Sequence, residues 1–161
     1  MANELHLVGF RVGKETFGVP IHLVHEIVRV PEVTAVPDTP DYVEGVINLR
    51  GKIVSIVDLR KRFGSSKVGT DKKNRILVAE VDGKMVGLVV DAASEVLKLP
   101  NSDVEAPPAS VMEEGDTNYV TGVGKLNGRL IILVDVKKIL SRGELRHLGD
   151  VVNPRTAAAG A

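Results

Sequence analysis

Residues Gly45–Phe63, GVINLRGKIVSIVDLRKRF, read as strand, tight turn, strand and short helical cap. Val46, Ile47 and Leu49 are β-formers before the turn, and Ile53, Val54, Ile56 and Val57 follow it. Arg50-Gly51 stands between the two runs, where a two-residue hairpin turn needs backbone at φ > 0. Gly51 takes that conformation without steric cost. Asp58 ends the apolar run, where its carboxylate can accept N–H bonds from the first turn of the helix that LRKRF begins. Gly64 stops that helix.

The pattern occurs twice. Gly122–Leu140, GVGKLNGRLIILVDVKKIL, matches at a constant offset of 77 (45 to 122), pairing Leu49 with Leu126, Gly51 with Gly128, and Asp58 with Asp135. GVPIHLVHEIVRVP from Gly18 matches GLVVDAASEVLKLP from Gly87 at an offset of 69 (18 to 87), pairing Glu26 with Glu95 and Pro31 with Pro100. The second half therefore carries an insertion, placed in the Pro- and acid-rich run Asp103–Asp116. A duplicated design dictates the fold before any single element does.

The remaining segments fit the same plan. Glu4–Val12 and Thr16–Ile21 read as a hairpin around Gly13-Lys14-Glu15, and Arg75–Val81 and Lys84–Val90 as another around Asp82-Gly83. His22–Glu26 and Ala92–Glu95 read as short helical turns before the strands Ile27–Val30 and Val96–Leu99. Thr39 before Pro40 is a helix-start signal and predicts a short helix through Tyr42-Val43. Ser65–Asn74 is a polar, basic linker. Asn101–Tyr119 reads as irregular, with one helical turn at Ser110–Glu113; Lys137–Ser141 forms the second cap and Glu144–Leu148 a terminal helix.

Roughly ten short strands with tight turns and only stub helices give an all-β class. Five strands per half suit a small closed barrel better than a sandwich, because closure removes exposed edges. The fold expected is two tandem five-stranded barrels packed on a shared apolar seam. Residues 1–150 form one unit, with barrels at about 5–68 and 74–142 and strands free to exchange between them; 151–161 is a disordered tail.

Composition excludes several functions. The 161 residues are 43% hydrophobic, enough for a real core, and 26% charged with zero net charge, so no global field favours nucleic acid or anionic lipid. Cysteine is absent, which removes disulfide and thiol chemistry. No signal-peptide pattern and no apolar run of membrane-spanning length occur, so the cytoplasm is the expected compartment. Arg60–Arg75 holds seven basic residues against one acid, but with 3% aromatics and no Trp it lacks platforms for stacking bases. A solvated linker accounts for it, with a contact to the acidic Asp103–Asp116 loop across subunits as a further hypothesis.

No catalytic set is visible. Asp58 and Asp135 could be paired acids, yet each precedes a stub helix, and capping explains both. His22, His25 and Glu26 match no zinc-protease spacing. Gly122-Val123-Gly124-Lys125 lacks the first Gly and the Ser or Thr of a phosphate loop. No cofactor or metal is expected.

Asn48-Leu49-Arg50-Gly51 followed by IVSIVDLRKRF, with Val24-His25-Glu26-Ile27 upstream and GLVVD downstream, resembles the CheW family over about Leu5 to Leu140. The resemblance implies two SH3-like barrels and a non-catalytic adaptor of bacterial chemotaxis. It also implies coupling of methyl-accepting chemoreceptors to the histidine kinase CheA, whose regulatory domain the family resembles and with which it forms alternating rings. By the same resemblance Arg50 takes part in receptor and kinase coupling, and Glu26 pairs with it or lies beside it. Val24, Gly87 and Val96 match positions linked to partner contact.

From the residues themselves, Arg50 is notable because its repeat mate is Asn127, the better turn former, and guanidinium is suited to gripping carboxylates. For Glu26, partner contact and a local structural role shared with Glu95 both stand. Two other functions stay open at this stage: a related adaptor in pilus motility or second-messenger signalling, and an enzyme with an unrecognised carboxylate site.

Overall fold

The computed structural model describes residues 4–39, 42–63, 72–106 and 119–139. Strand β1 (Glu4–Val12) turns into β2 (Glu15–Pro20), and a single 3-10 turn, Ile21–Leu23, leads to β3 (Val24–Arg29). The organising hairpin is β4 (Val43–Leu49) and β5 (Lys52–Asp58), capped by α1 (Leu59–Arg62). The second half repeats this as β6 (Arg75–Val81), β7 (Lys84–Val90), β8 (Ala92–Pro100), a 3-10 turn at Asn101–Asp103, β9 (Val104–Glu105), β10 (Val120–Leu126), β11 (Arg129–Val134) and α2 (Val136–Ile139).

The strands form two sheets in the orders β3-β6-β7-β5-β4 and β8-β1-β2-β11-β10-β9. Repeat mates occupy matching places, and each sheet holds one parallel pair, β5 with β7 and β11 with β2. The sheets therefore do not follow the chain boundaries 5–68 and 74–142. Each half lends its first hairpin to the other half's sheet.

Alternation explains the packing. Along β1, Leu7 faces one way, into a cluster with Leu97, Leu99, Ile131 and Leu133; Val8, Phe10 and Val12 face the other, into a larger cluster drawn from both sheets. Along β6, Ile76 and Val78 join the first barrel's interior with Ile47, Val54, Ile56 and Val89, while Leu77 joins the large cluster. Two small barrel interiors thus flank one shared seam. All five aromatic residues gather there: Phe10, Phe17, Phe63 and Tyr119 form a run of ring contacts of 5.7, 4.9 and 5.1 Å, and Tyr42 packs against the same cluster. Each buried side chain of this size contributes about 1.5–3 kcal/mol of transfer free energy.

Three local expectations are corrected. The helical turn expected at His22–Glu26 is confined to the 3-10 turn Ile21–Leu23, with β3 starting at Val24, and Ala92–Glu95 is not a helical turn but the start of β8; β3 and β8 each contain a bulge at the same repeat position. The extra residue, His25 or Ser94, breaks the alternation that marks a strand. Tyr42-Val43 is not a helix; the Thr39 hydroxyl donates to the Val36 carbonyl, and Val43 begins β4. Arg60 is not part of a solvated linker, being 6% exposed. The turn at Ser110–Glu113, the helix at Glu144–Leu148 and the tail lie outside the described residues.

Candidate functional site

The hairpin tip is built from backbone demands. Arg50 and Gly51 sit at φ of +51° and +86°, and Asn127 and Gly128 at +51° and +79°, the pattern of a type I′ turn. Asn48 Oδ1 accepts the Gly51 N–H at 2.8 Å. Arginine at positive φ is disfavoured relative to asparagine, so its presence points to a role for the side chain.

That side chain grips Glu26. Arg50 NH1 donates to Oε2 at 2.5 Å and NH2 to Oε1 at 2.6 Å, a two-pronged pair with the Arg50 side chain 71% exposed and the Glu26 side chain 26% exposed. The bulge in β3 makes this possible. Val24 pairs with Ala79 but Glu26 with Val78, so neighbouring partners facing opposite ways send Val24 to the seam and Glu26 to the barrel's inner face. The hydrogen bond from Arg50, ahead of charge attraction, holds the Glu26 carboxyl below its usual range; the same contact raises the guanidinium. His25, the bulged residue, lies 3.5 Å from Glu80.

The seam faces of both sheets continue into solvent. Val96 pairs with Val8 and Ile27 with Leu77, both partners belonging to the seam cluster, so Val96 and Ile27 point to the seam side. They are nevertheless 60% and 38% exposed. Ile53 and Leu130, repeat mates on the seam faces of β5 and β11, are 49% and 57% exposed. Val24 is half-buried against the seam. The sequence does not mark Ile27, Ile53 and Leu130 as exposed, because a seam-facing residue inside the contact and one beyond it show the same alternation.

Gly87 is different. It is buried, and a Cβ there would stand 2.6 Å from Ile56 Cδ1 and 2.7 Å from Ile76 Cγ2. Gly87 thus serves close packing inside the first barrel.

The two aspartates cap. Asp58 Oδ1 accepts the Arg60 N–H and Asp135 Oδ1 the Lys137 N–H, each at 2.9 Å. Asp58 also takes both prongs of the buried Arg60 guanidinium, at 3.0 and 2.9 Å. Arg60 further donates to Asn74 and Asp91, both at 3.3 Å, and Asp91 Oδ2 accepts the Gly13 N–H at 2.7 Å. This network ties the first sheet's cap to the turn between β1 and β2 in the other sheet. At the matching place Lys137, 65% exposed, meets Asp82 at 3.3 Å in the turn between β6 and β7. A groove of about 600 Å³ is walled mainly by apolar side chains such as Leu5, Leu7, Ile21 and Leu133, with Glu4, His6, His22 and Asp135 also on its lining. Among the described residues no three His, Cys, Asp or Glu side chains gather as a metal site.

Two strand-exchanged SH3-like barrels with a charged hairpin tip and exposed apolar seam edges have the architecture of a protein-docking module. The CheW-like domain family matches residues 6–144, and the chain belongs to that family. It is 39% identical over 142 residues to "Chemotaxis protein CheW" of Klebsiella aerogenes, covering 88% of this chain and 85% of that one. The Helicobacter pylori protein of the same name is 33% identical, with 86% and 82% covered. The crystal structure of the scaffolding protein TtCheW from Thermoanaerobacter tengcongensis superimposes with a TM-score of 0.79 at 38% identity, covering 88% of this chain and 94% of that one.

Proposed function

We propose that the protein is a non-catalytic cytoplasmic scaffold that couples methyl-accepting chemoreceptors to a CheA-type histidine kinase. The apolar edge formed by Val24, Ile27 and Val96 takes the receptor's helical hairpin tip, with Arg50 and Glu26 at its border. One barrel docks on the kinase's regulatory domain, which shares the barrel design. The observation that carries this reading is Val96: a valine 60% exposed directly opposite Val8 of the seam core, with Ile27, Ile53 and Leu130 also exposed on the seam faces, the arrangement of an apolar surface awaiting a partner. No helix of the described residues is long and apolar enough to cross a membrane.

The test is receptor-stimulated kinase activity reconstituted with wild type, Val96→Arg and Arg50→Glu. Both variants keep a wild-type circular dichroism spectrum and lose stimulation. Normal stimulation by the Val96→Arg variant would remove the apolar edge from the mechanism.

A further inference from the structure

A second surface lies on the first barrel. Arg29 and Arg75 stand directly opposite each other on β3 and β6, and with Lys72, Lys73, Val30 and Pro31 they line a cleft of about 970 Å³. Like charges placed opposite on antiparallel strands are destabilising. Among the described residues no carboxylate reaches Arg29, Lys72 or Arg75; Arg75 donates instead to the carbonyls of Lys72 and Asn74, at 2.7 and 2.8 Å.

The duplicate barrel shows that the fold does not require this. There the matching cross-strand pair is His6 opposite Lys98, and Glu4 lies 3.4 Å from His6. The repeat mate of Glu4 is Lys73 (4 to 73). The first barrel thus carries a cation where its twin carries the compensating acid, in a chain whose net charge is zero.

We infer that this cleft binds an acidic protein segment, with carboxylates on Arg29, Lys72, Lys73 and Arg75 and an apolar residue against Val30 and Pro31. Two guanidinium groups side by side suit carboxylate forks. Val30, 38% exposed beside Pro31, gives an apolar wall that suits a peptide side chain better than a sugar–phosphate backbone. All the aromatic side chains are committed to the seam, leaving none to stack bases.

The experiment is fluorescence anisotropy of a labelled peptide in which glutamates flank a leucine, beside a control with glutamines in their place. The acidic peptide binds, the control does not, and affinity falls as salt is raised. Arg29→Glu combined with Lys73→Glu weakens binding by about tenfold or more. Arg29→Glu alone also weakens it, yet raises the melting temperature by placing a carboxylate opposite Arg75, so lost binding is not lost folding. Equal binding of the two peptides, indifference to Arg29→Glu, or tighter binding to phosphatidylglycerol vesicles or single-stranded DNA would overturn the assignment. Peptide binding and receptor-stimulated kinase activity are read separately, so this site and the apolar edge at Val96 fail independently.

Discussion

The Arg50 guanidinium and the Glu26 carboxylate join the two ends of one sheet: Glu26 lies on β3, the first strand in order, and Arg50 follows β4, the last. The pair therefore closes the mouth of the first barrel while holding its cation in solvent. Exposed pairs contribute little to stability, so Arg50→Ala should shift the melting temperature only slightly. Swapping the charges, Arg50→Glu with Glu26→Arg, should restore closure but not receptor coupling. Full recovery of coupling in the swap would reassign the pair to a structural role.

Acid should open this contact. The folded-state carboxyl of Glu26 is depressed below its ordinary value of 4.5, chiefly by the hydrogen bond from Arg50. A depressed carboxyl contributes stability above its unfolded pKa and loses it as pH falls through the folded one. Wild type and Glu26→Gln should thus differ by a constant amount near neutrality and converge only below pH 4.5. Thermal melts across that range check the sign; convergence on the alkaline side would contradict it.

Arg60 and Lys137 occupy matching places with unequal consequences. Removing Arg60 leaves Asp58, 2% exposed, without its cation, and Arg60→Met should cost about 3–5 kcal/mol. Lys137→Met breaks only the exposed contact with Asp82 and should cost less than about 1 kcal/mol. Urea denaturation of the two variants measures the contrast.

Gly87→Ala should lose about 1 kcal/mol or more by crowding Ile56 and Ile76. Ile56→Val, which removes the Cδ1 atom met at 2.6 Å, should recover part of that loss in the double variant. Any effect of Gly87→Ala on coupling that persists after this repacking would point to a contact beyond packing.

The repeat made the strands, turns and caps legible, because Arg50-Gly51, Asn127-Gly128, Asp58 and Asp135 act through local backbone geometry. Partner choice among strands was not legible: Val8 and Leu77 alternate identically whichever hairpin lies beside them. The bulges at His25 and Ser94 were misread as helix, since one extra residue erases the period of two. Burial of Arg60 was hidden for another reason. Its acids, Asp58 and Asp91, are brought together only by the parallel pairing of β5 with β7. The family resemblance supplied the pairing of Glu26 with Arg50, which spacing alone could not.

The exchange of hairpins has a consequence for biosynthesis. The hairpin β1–β2 has no sheet neighbours until β8 and then β11 are made. Neither half can mature alone, so cutting the protein between its repeats would yield two fragments that each lack a staple and can regain shape only by finding each other.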